Sequence, residues 1–171
     1  MNELAVTVLG HDRPGIIADV TSALAELGGN LEDSSMTLLR GHFAMTLVVD
    51  VPVSSDVVEE RLAHLVEQGL RVSVLPLPAE DVVESEAAGF ILSVHGADRP
   101  GIVSAITAVI ASAGGNITDL TTRLAGGLYV LIAEVALPGE VDLDALNERI
   151  ADTAATLGVG ANLRPADSEL L

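Results

Sequence analysis

The sequence lacks several kinds of residue, and each absence excludes a class of function. Its 171 residues include no cysteine and no tryptophan, and aromatic residues make up only 2%. Without cysteine the chain can form no disulfide, thiolate nucleophile or cysteine-ligated metal site. With so few aromatic rings it offers no platform on which single-stranded bases could stack. The core is therefore expected to consist of Val, Leu, Ile and Ala.

Positive charge is also scarce. Eight Lys and Arg residues stand against 25 Asp and Glu, which gives a formal net charge of −17. Phosphate backbones and anionic lipids attract clustered Lys and Arg, so we expect neither direct nucleic-acid binding nor membrane binding. No apolar run approaches the roughly 18 residues of a membrane helix. Because the sequence opens in a strand pattern, we expect no secretory signal. We expect a cytoplasmic protein.

What the sequence does contain is a repeat at a constant offset of 86 residues, from 12 to 98 and from 28 to 114. One repeated segment is Asp12-Arg13-Pro14-Gly15-Ile16, which recurs as Asp98-Arg99-Pro100-Gly101-Ile102. The other is Gly28-Gly29-Asn30, which recurs as Gly114-Gly115-Asn116. A duplication of this size indicates one supersecondary assembly used twice. The identities cluster at the ends of elements, where ligand sites are commonly found.

Apolar periodicity predicts the same order of elements in each copy. In the first copy we predict strands over 4–9, 31–39, 43–51 and 70–77, and helices over about 14–27 and 55–66. In the second copy we predict strands over 90–95, 116–124, 128–137 and 159–163, and helices over 100–113 and 143–157. The order βαββαβ is that of the ferredoxin-like unit, an α+β fold with an antiparallel sheet. We expect domains over 1–78 and 89–171, joined by an acidic linker over 79–88.

A sheet that carries both helices on one face leaves its edges free for partners. Two such units could therefore pair edge to edge into one continuous sheet. That arrangement would bury an interface between the first helices and bring the two repeated turns close to it. We take edge-to-edge pairing as the expected architecture.

The repeated turn carries groups that suit a free α-amino acid. The N–H groups at a helix start, with the positive end of the helix dipole, suit a carboxylate. Gly15 allows a ligand to approach the backbone, Asp12 could accept a hydrogen bond from an ammonium group, and Asn30 offers both a donor and an acceptor. A purely structural alternative stays open, because Asp before Pro is an ordinary helix N-cap and Gly-Gly-Asn an ordinary helix end.

The βαββαβ order, the Gly-x-Asp-Arg-Pro-Gly-Ile turn and the Gly-Gly-Asn segment together resemble the ACT domain. A tandem pair of such units is most similar to the glycine cleavage system transcriptional repressor group of ACT proteins. The resemblance implies regulatory binding of small molecules, usually amino acids, at interfaces between ACT units. The ligand contacts that it implies are Asp12, Arg13, Pro14, Gly15, Ile16 and Asn30, with Asp98, Arg99, Pro100, Gly101, Ile102 and Asn116. Gly10 and Asp12 stand where serine-sensing ACT domains have His and Asn, so serine itself is not implied.

We therefore predict a non-enzymatic regulatory protein that binds a free amino acid between ACT units, forms a homo-oligomer and signals to a partner such as a transcription regulator. No cofactor is predicted. No metal is predicted, because the four histidines have no metal-ligand spacing in the sequence, and no catalytic residue is predicted, because no partner residues suggest a triad. The alternative is a protein-interaction module without a ligand, which acts on a transcription factor or a metabolic enzyme.

Overall fold

The computed structural model describes residues 1–78 and 88–166, and it divides the chain into two compact units, Met1–Val82 and Val83–Leu171. Each unit has the element order βαββαβ, so the α+β, ferredoxin-like prediction is confirmed. The predicted linker over 79–88 lies outside the described residues, except for Ala88, which begins a strand.

The elements of unit 1 are β1 (Asn2–His11), α1 (Ile16–Glu26), β2 (Asn30–Leu39), β3 (His42–Val51), α2 (Ser55–Glu67) and β4 (Arg71–Pro76). Those of unit 2 are β5 (Ala88–Ala97), α3 (Ile102–Ser112), β6 (Asn116–Ala125), β7 (Leu128–Leu137), α4 (Leu143–Thr156) and β8 (Val159–Pro165). The two antiparallel sheets have the strand orders β2-β3-β1-β4 and β6-β7-β5-β8. In each unit the central strands are therefore the first and third along the chain.

Each unit has its own apolar core on one face of its sheet. In β1, Val6 and Val8 are fully buried, whereas Thr7 and Leu9 on the opposite face are exposed. This period-two alternation is the pattern of a sheet that is covered on one side. Among the described residues, no polar or charged residue is buried. None of the helices over 1–78 and 88–166 has the length and apolarity that crossing a bilayer requires.

The second strand of each unit is an edge strand that the helices leave uncovered. All residues of β2 are exposed except Thr37, which is half-buried. Met36 and Leu38 pair with the buried residues Met45 and Phe43, so their side chains lie on the helix-bearing face of the sheet. They nevertheless remain 47% and 49% exposed. Within the described residues, each unit therefore presents a backbone edge without a pairing partner, beside accessible apolar side chains.

Candidate functional site

Both repeated turns end in a glycine with left-handed backbone geometry. Gly15 has φ 94° and ψ −7°, Gly101 has φ 92° and ψ −5°, and the helices α1 and α3 begin at the next residue. The predicted helix starts, at about Pro14 and Pro100, are therefore two residues too early, because a left-handed residue cannot belong to a right-handed helix. Among the described residues, a Cβ on Gly15 would meet only the Arg13 guanidinium, 3.9 Å away, so glycine is required here by the dihedral and not by crowding.

The amino end of each first helix has free N–H groups. Gly15 and Gly101 occupy the N-cap positions, and no described side chain caps either helix. The first intrahelical bond is donated by Asp19 N–H to the Gly15 carbonyl, at 2.9 Å. The N–H groups of residues 16–18 therefore lack an intrahelical partner, as expected at a helix start. The alternative in which Asp12 caps α1 is wrong.

The side chain of Asp12 is available for a ligand. Its backbone N–H donates to the Gly41 carbonyl at 3.0 Å, which fixes the turn, while its exposed carboxylate has no partner in the described part of the chain. A shallow depression of about 450 Å³ opens beside it. The depression is lined by Asp12, Arg13, Gly15, Ile16, Ile17, Ala18, Met36 and Phe43. A free carboxylate, free helix N–H groups and an apolar wall thus meet in one open site.

The repeated arginine contacts the end of the second helix in each unit. Arg13 Nη2 donates to Asp19 Oδ2 at 3.1 Å and also to Gln68 Oε1, and Gln68 directly follows α2. In unit 2 the Arg99 guanidinium lies over Gly158, where an added Cβ would be 3.4 Å from its Cζ. A cation is favoured beside the negative end of a helix dipole. The arginine therefore has a structural role in linking the turn to the second helix.

The Gly-Gly segments are accounted for by helix termination. Gly28 has φ 76°, and the N–H groups of Gly28 and Gly29 donate back to carbonyls of the last turn of α1, at 2.9 Å each. Gly114 and Gly115 end α3 with the same pair of bonds, at 3.0 and 3.1 Å. This is the Schellman arrangement. The structural interpretation of Gly-Gly as a helix end is confirmed.

The two asparagines lie far from the turns of their own units. Asn30 is the first residue of β2 and pairs with Asp50, whereas the Asp12 turn follows β1 at the end of the sheet where β2 finishes. The 11 residues of α1 run between these two ends, a distance of about 16 Å. Asn116 occupies the corresponding position in unit 2 and lines a different depression, of about 410 Å³.

The structure therefore brings Asp12, Arg13, Gly15 and Ile16 together around one depression and leaves Asn30 at the far end of the unit. Pro14 lies in the turn itself and is exposed. In unit 2 the residues from Asp98 to Ile102 form the matching turn, and Asn116 is similarly distant. A single unit cannot present both its turn and its own asparagine to one small ligand.

Comparison with known families identifies the repeated unit. The ACT domain model matches residues 2–74 and 89–163, which is most of the chain. The chain belongs to the ACT domain family. The predicted tandem ACT organisation is thereby confirmed. The ACT domain is a regulatory domain of the amino-acid-binding type.

Curated relatives match the length of about one unit. A UPF0237 protein of Methanopyrus kandleri is 53% identical over 51 residues, which cover 30% of this chain and 57% of that protein. A UPF0237 protein of Pyrobaculum aerophilum is 38% identical over 74 residues, which cover 43% of this chain and 82% of that protein. The chain thus spans little more than half of the Methanopyrus protein, but most of the Pyrobaculum protein.

Two solved structures match over nearly the whole chain. An unknown protein from Galdieria sulphuraria is 30% identical, with a TM-score of 0.81 and coverage of 96% of this chain and 98% of that one. A candidate glycine cleavage system transcriptional repressor is 20% identical, with a TM-score of 0.67 and coverage of 95% and 96%. At that identity the second likeness shows a shared fold.

Proposed function

We propose that this ACT protein is a non-enzymatic regulator that binds a free amino acid between ACT units and signals the bound state to a partner protein. The observation that carries the proposal is the open depression in which the start of α1 lies beside the Asp12 carboxylate, neither of them bonded by a side chain of the described residues. Helix N–H groups suit an α-carboxylate. The Asp12 carboxylate suits an α-ammonium group through a charge-assisted hydrogen bond. The turn at Asp98 repeats these groups.

A ligand that also uses an asparagine requires two units. The turn and the asparagine of one unit lie at opposite ends of α1, so a second unit in the antiparallel orientation would bring its asparagine to the first unit's turn. We infer that the ligand site at the Asp12 turn includes Asn116, and that the site at the Asp98 turn includes Asn30. The two units belong to one chain or to two copies in a homo-oligomer. Analytical ultracentrifugation counts the copies.

The surfaces of single units support such pairing. The exposed side of α1 carries only small side chains at the i, i+3, i+4 and i+7 positions, namely Ala18, Thr21, Ser22 and Ala25. The same positions of α3 hold Ser104, Thr107, Ala108 and Ala111. Small side chains permit a short distance between helix axes. Together with the unpaired edges of β2 and β6, they favour a side-by-side arrangement of first helices and edge strands.

A thermal-shift screen of the twenty amino acids tests the proposal. At a hundredfold excess over its dissociation constant a ligand stabilises the folded protein by about 2.7 kcal/mol. For a chain of this length that raises Tm by about 5–10 °C. Asp12→Ala combined with Asp98→Ala should abolish the shift, whereas Asp152→Ala, which removes an exposed carboxylate of α4, should retain it. If no amino acid raises Tm at millimolar concentration, the proposal is wrong.

The exposed edge strands favour one alternative, a protein-interaction module without a ligand. Besides Met36 and Leu38, the β6 residues Leu120 and Leu124 are 37% and 49% exposed. An apolar edge strand can add a strand from a transcription factor or a metabolic enzyme. In that case the combined aspartate variant keeps its partner and no amino acid shifts Tm.

With a net charge of −17 the chain should not bind DNA directly, and binding at about 150 mM salt would contradict this expectation.

A further inference from the structure

Two histidines that are distant in the sequence face each other in unit 1. His11 is the last residue of β1, His42 is the first residue of β3, and the antiparallel register pairs them directly. Their ring centroids are 4.8 Å apart, and the ring planes are inclined by 32°. Both side chains are exposed, and neither ring has a hydrogen-bond partner within residues 1–78 and 88–166. The two imidazoles are therefore adjacent and accessible from solvent.

We propose that His11 and His42 bind a divalent transition-metal ion of the Zn²⁺, Ni²⁺ or Cu²⁺ class, with water completing its coordination. An imidazole nitrogen binds Zn²⁺ at about 2.0–2.1 Å, which puts the ring centroid about 3.2 Å from the metal. Two neighbouring imidazole ligands then have centroids about 4.5 Å apart at a right angle and about 5.2 Å apart at the tetrahedral angle. The observed 4.8 Å lies between these values.

The protein contributes two ligands to this site. No group of three or more His, Cys, Asp or Glu side chains within the described residues is arranged to hold a metal. A pair of imidazoles suits Zn²⁺, Ni²⁺ and Cu²⁺, whereas Mg²⁺ and Ca²⁺ require oxygen ligands. The net charge of −17 raises the local concentration of cations at the surface. Because both protein ligands are imidazole nitrogens, the site should select these transition-metal ions over Mg²⁺ and Ca²⁺. Its affinity should be that of two imidazole ligands.

Unit 2 provides an internal control, because the duplication did not keep the pair. The residues at the offset of 86 are Ala97 and Leu128, and they are paired in register at the ends of β5 and β7 as His11 and His42 are in β1 and β3. Both units thus have the same backbone pairing at this position, but only unit 1 has histidines there. A metal that binds through these histidines should bind to unit 1 alone.

Isothermal titration of the 171-residue chain, without a polyhistidine tag, tests the site with Zn²⁺ and Mg²⁺. We expect one Zn²⁺ per chain and no competition from Mg²⁺ at a hundredfold higher concentration. His11→Ala and His42→Ala should each weaken Zn²⁺ binding at least tenfold, while His95→Ala, which removes an exposed histidine of unit 2, should leave it unchanged. Zn²⁺ binding that survives the double His11→Ala/His42→Ala variant would overturn the proposal, as would no Zn²⁺ binding by the folded wild-type chain.

A gain-of-site variant gives an independent check. Ala97→His combined with Leu128→His puts two imidazoles at the matching register position of unit 2. A second Zn²⁺ per chain supports the proposal, and a folded variant with unchanged stoichiometry contradicts the register argument. No amino acid is present in these titrations, so their outcome is separate from that of the amino-acid screen.

Discussion

Gly115, the second glycine of the repeated Gly-Gly-Asn segment, offers a quantitative test of the packing. A Cβ at this position would lie 2.7 Å from Leu137 Cδ2, 2.8 Å from Ile110 Cγ2 and 3.2 Å from the Ile110 carbonyl oxygen. Both neighbouring side chains are buried, at 1% and 0% exposure, so neither can turn into solvent. We expect Gly115→Ala to lower the free energy of unfolding by about 1–3 kcal/mol, the usual cost of overpacking. For a unit of this size Tm falls by about 4–8 °C per kcal/mol.

Two other glycines of unit 2 separate crowding from backbone strain. An added Cβ on Gly139 meets no atom of the described residues within 4 Å, and the backbone there is not left-handed, so Gly139→Ala should change stability by less than about 0.5 kcal/mol. Gly114 has φ 74° and a nearest neighbour at 3.5 Å, so Gly114→Ala should cost about 1–2 kcal/mol through strain alone. Urea unfolding followed by circular dichroism measures the change in unfolding free energy for all three glycine variants, provided that the slope m is the same as in the wild-type chain. If Gly115→Ala is as stable as Gly139→Ala, the packing argument is refuted.

Two further predictions concern polar contacts. Asp142→Ala should lower the free energy of unfolding by about 1 kcal/mol, because Asp142 Oδ1 accepts a hydrogen bond from the Ala145 N–H at 3.0 Å. Ser54→Ala should lower it less, since the Ser54 side chain makes no capping bond to a described residue. Equal losses in urea titrations would contradict this assignment. The ion pair of Arg13 and Asp19 is 34% and 40% exposed, so a double-mutant cycle should return a coupling of about 0–1 kcal/mol. A coupling above about 2 kcal/mol would show that the pair is better shielded from solvent than its exposure implies.

Local sequence was sufficient for the fold because each element carries its own periodic pattern. Alternation along β1 and the four-residue spacing of Ile16, Val20 and Leu24 are visible without tertiary information, and the structure buries these three residues of α1. The helix starts were predicted two residues early for a local reason. Proline is compatible with a first helical turn, whereas the left-handed dihedral that excludes Gly15 from α1 is adopted only in the folded turn.

The site was less predictable because it depends on chain direction and register. Asp12 and Ile16 are neighbours in the sequence and remain neighbours in the depression, but Met36 and Phe43 reach it only through strand pairing. Chemical matching and the ACT resemblance both grouped Asn30 with the turn, but neither showed that α1 carries the chain away from that turn before β2 begins. Spacing gave no indication that His11 and His42 meet, because only the β1–β3 register brings them together.

The two turns are not equivalent, and this difference leads to a prediction within the proposed amino-acid function. Arg13 is held by Asp19 and Gln68, whereas Asp19 is replaced in unit 2 by Ala105, and Arg99 has no ion-pair or hydrogen-bond partner among the residues described. A ligand carboxylate that recruits the arginine must displace an exposed ion pair in unit 1 but not in unit 2. Since such a pair contributes about 0–1 kcal/mol, the turn of unit 2 should bind up to about fivefold more tightly. Asp19→Ala should bring the two dissociation constants together in a calorimetric titration. A tighter unit 2 site whose advantage survives Asp19→Ala would show that this ion pair does not oppose binding.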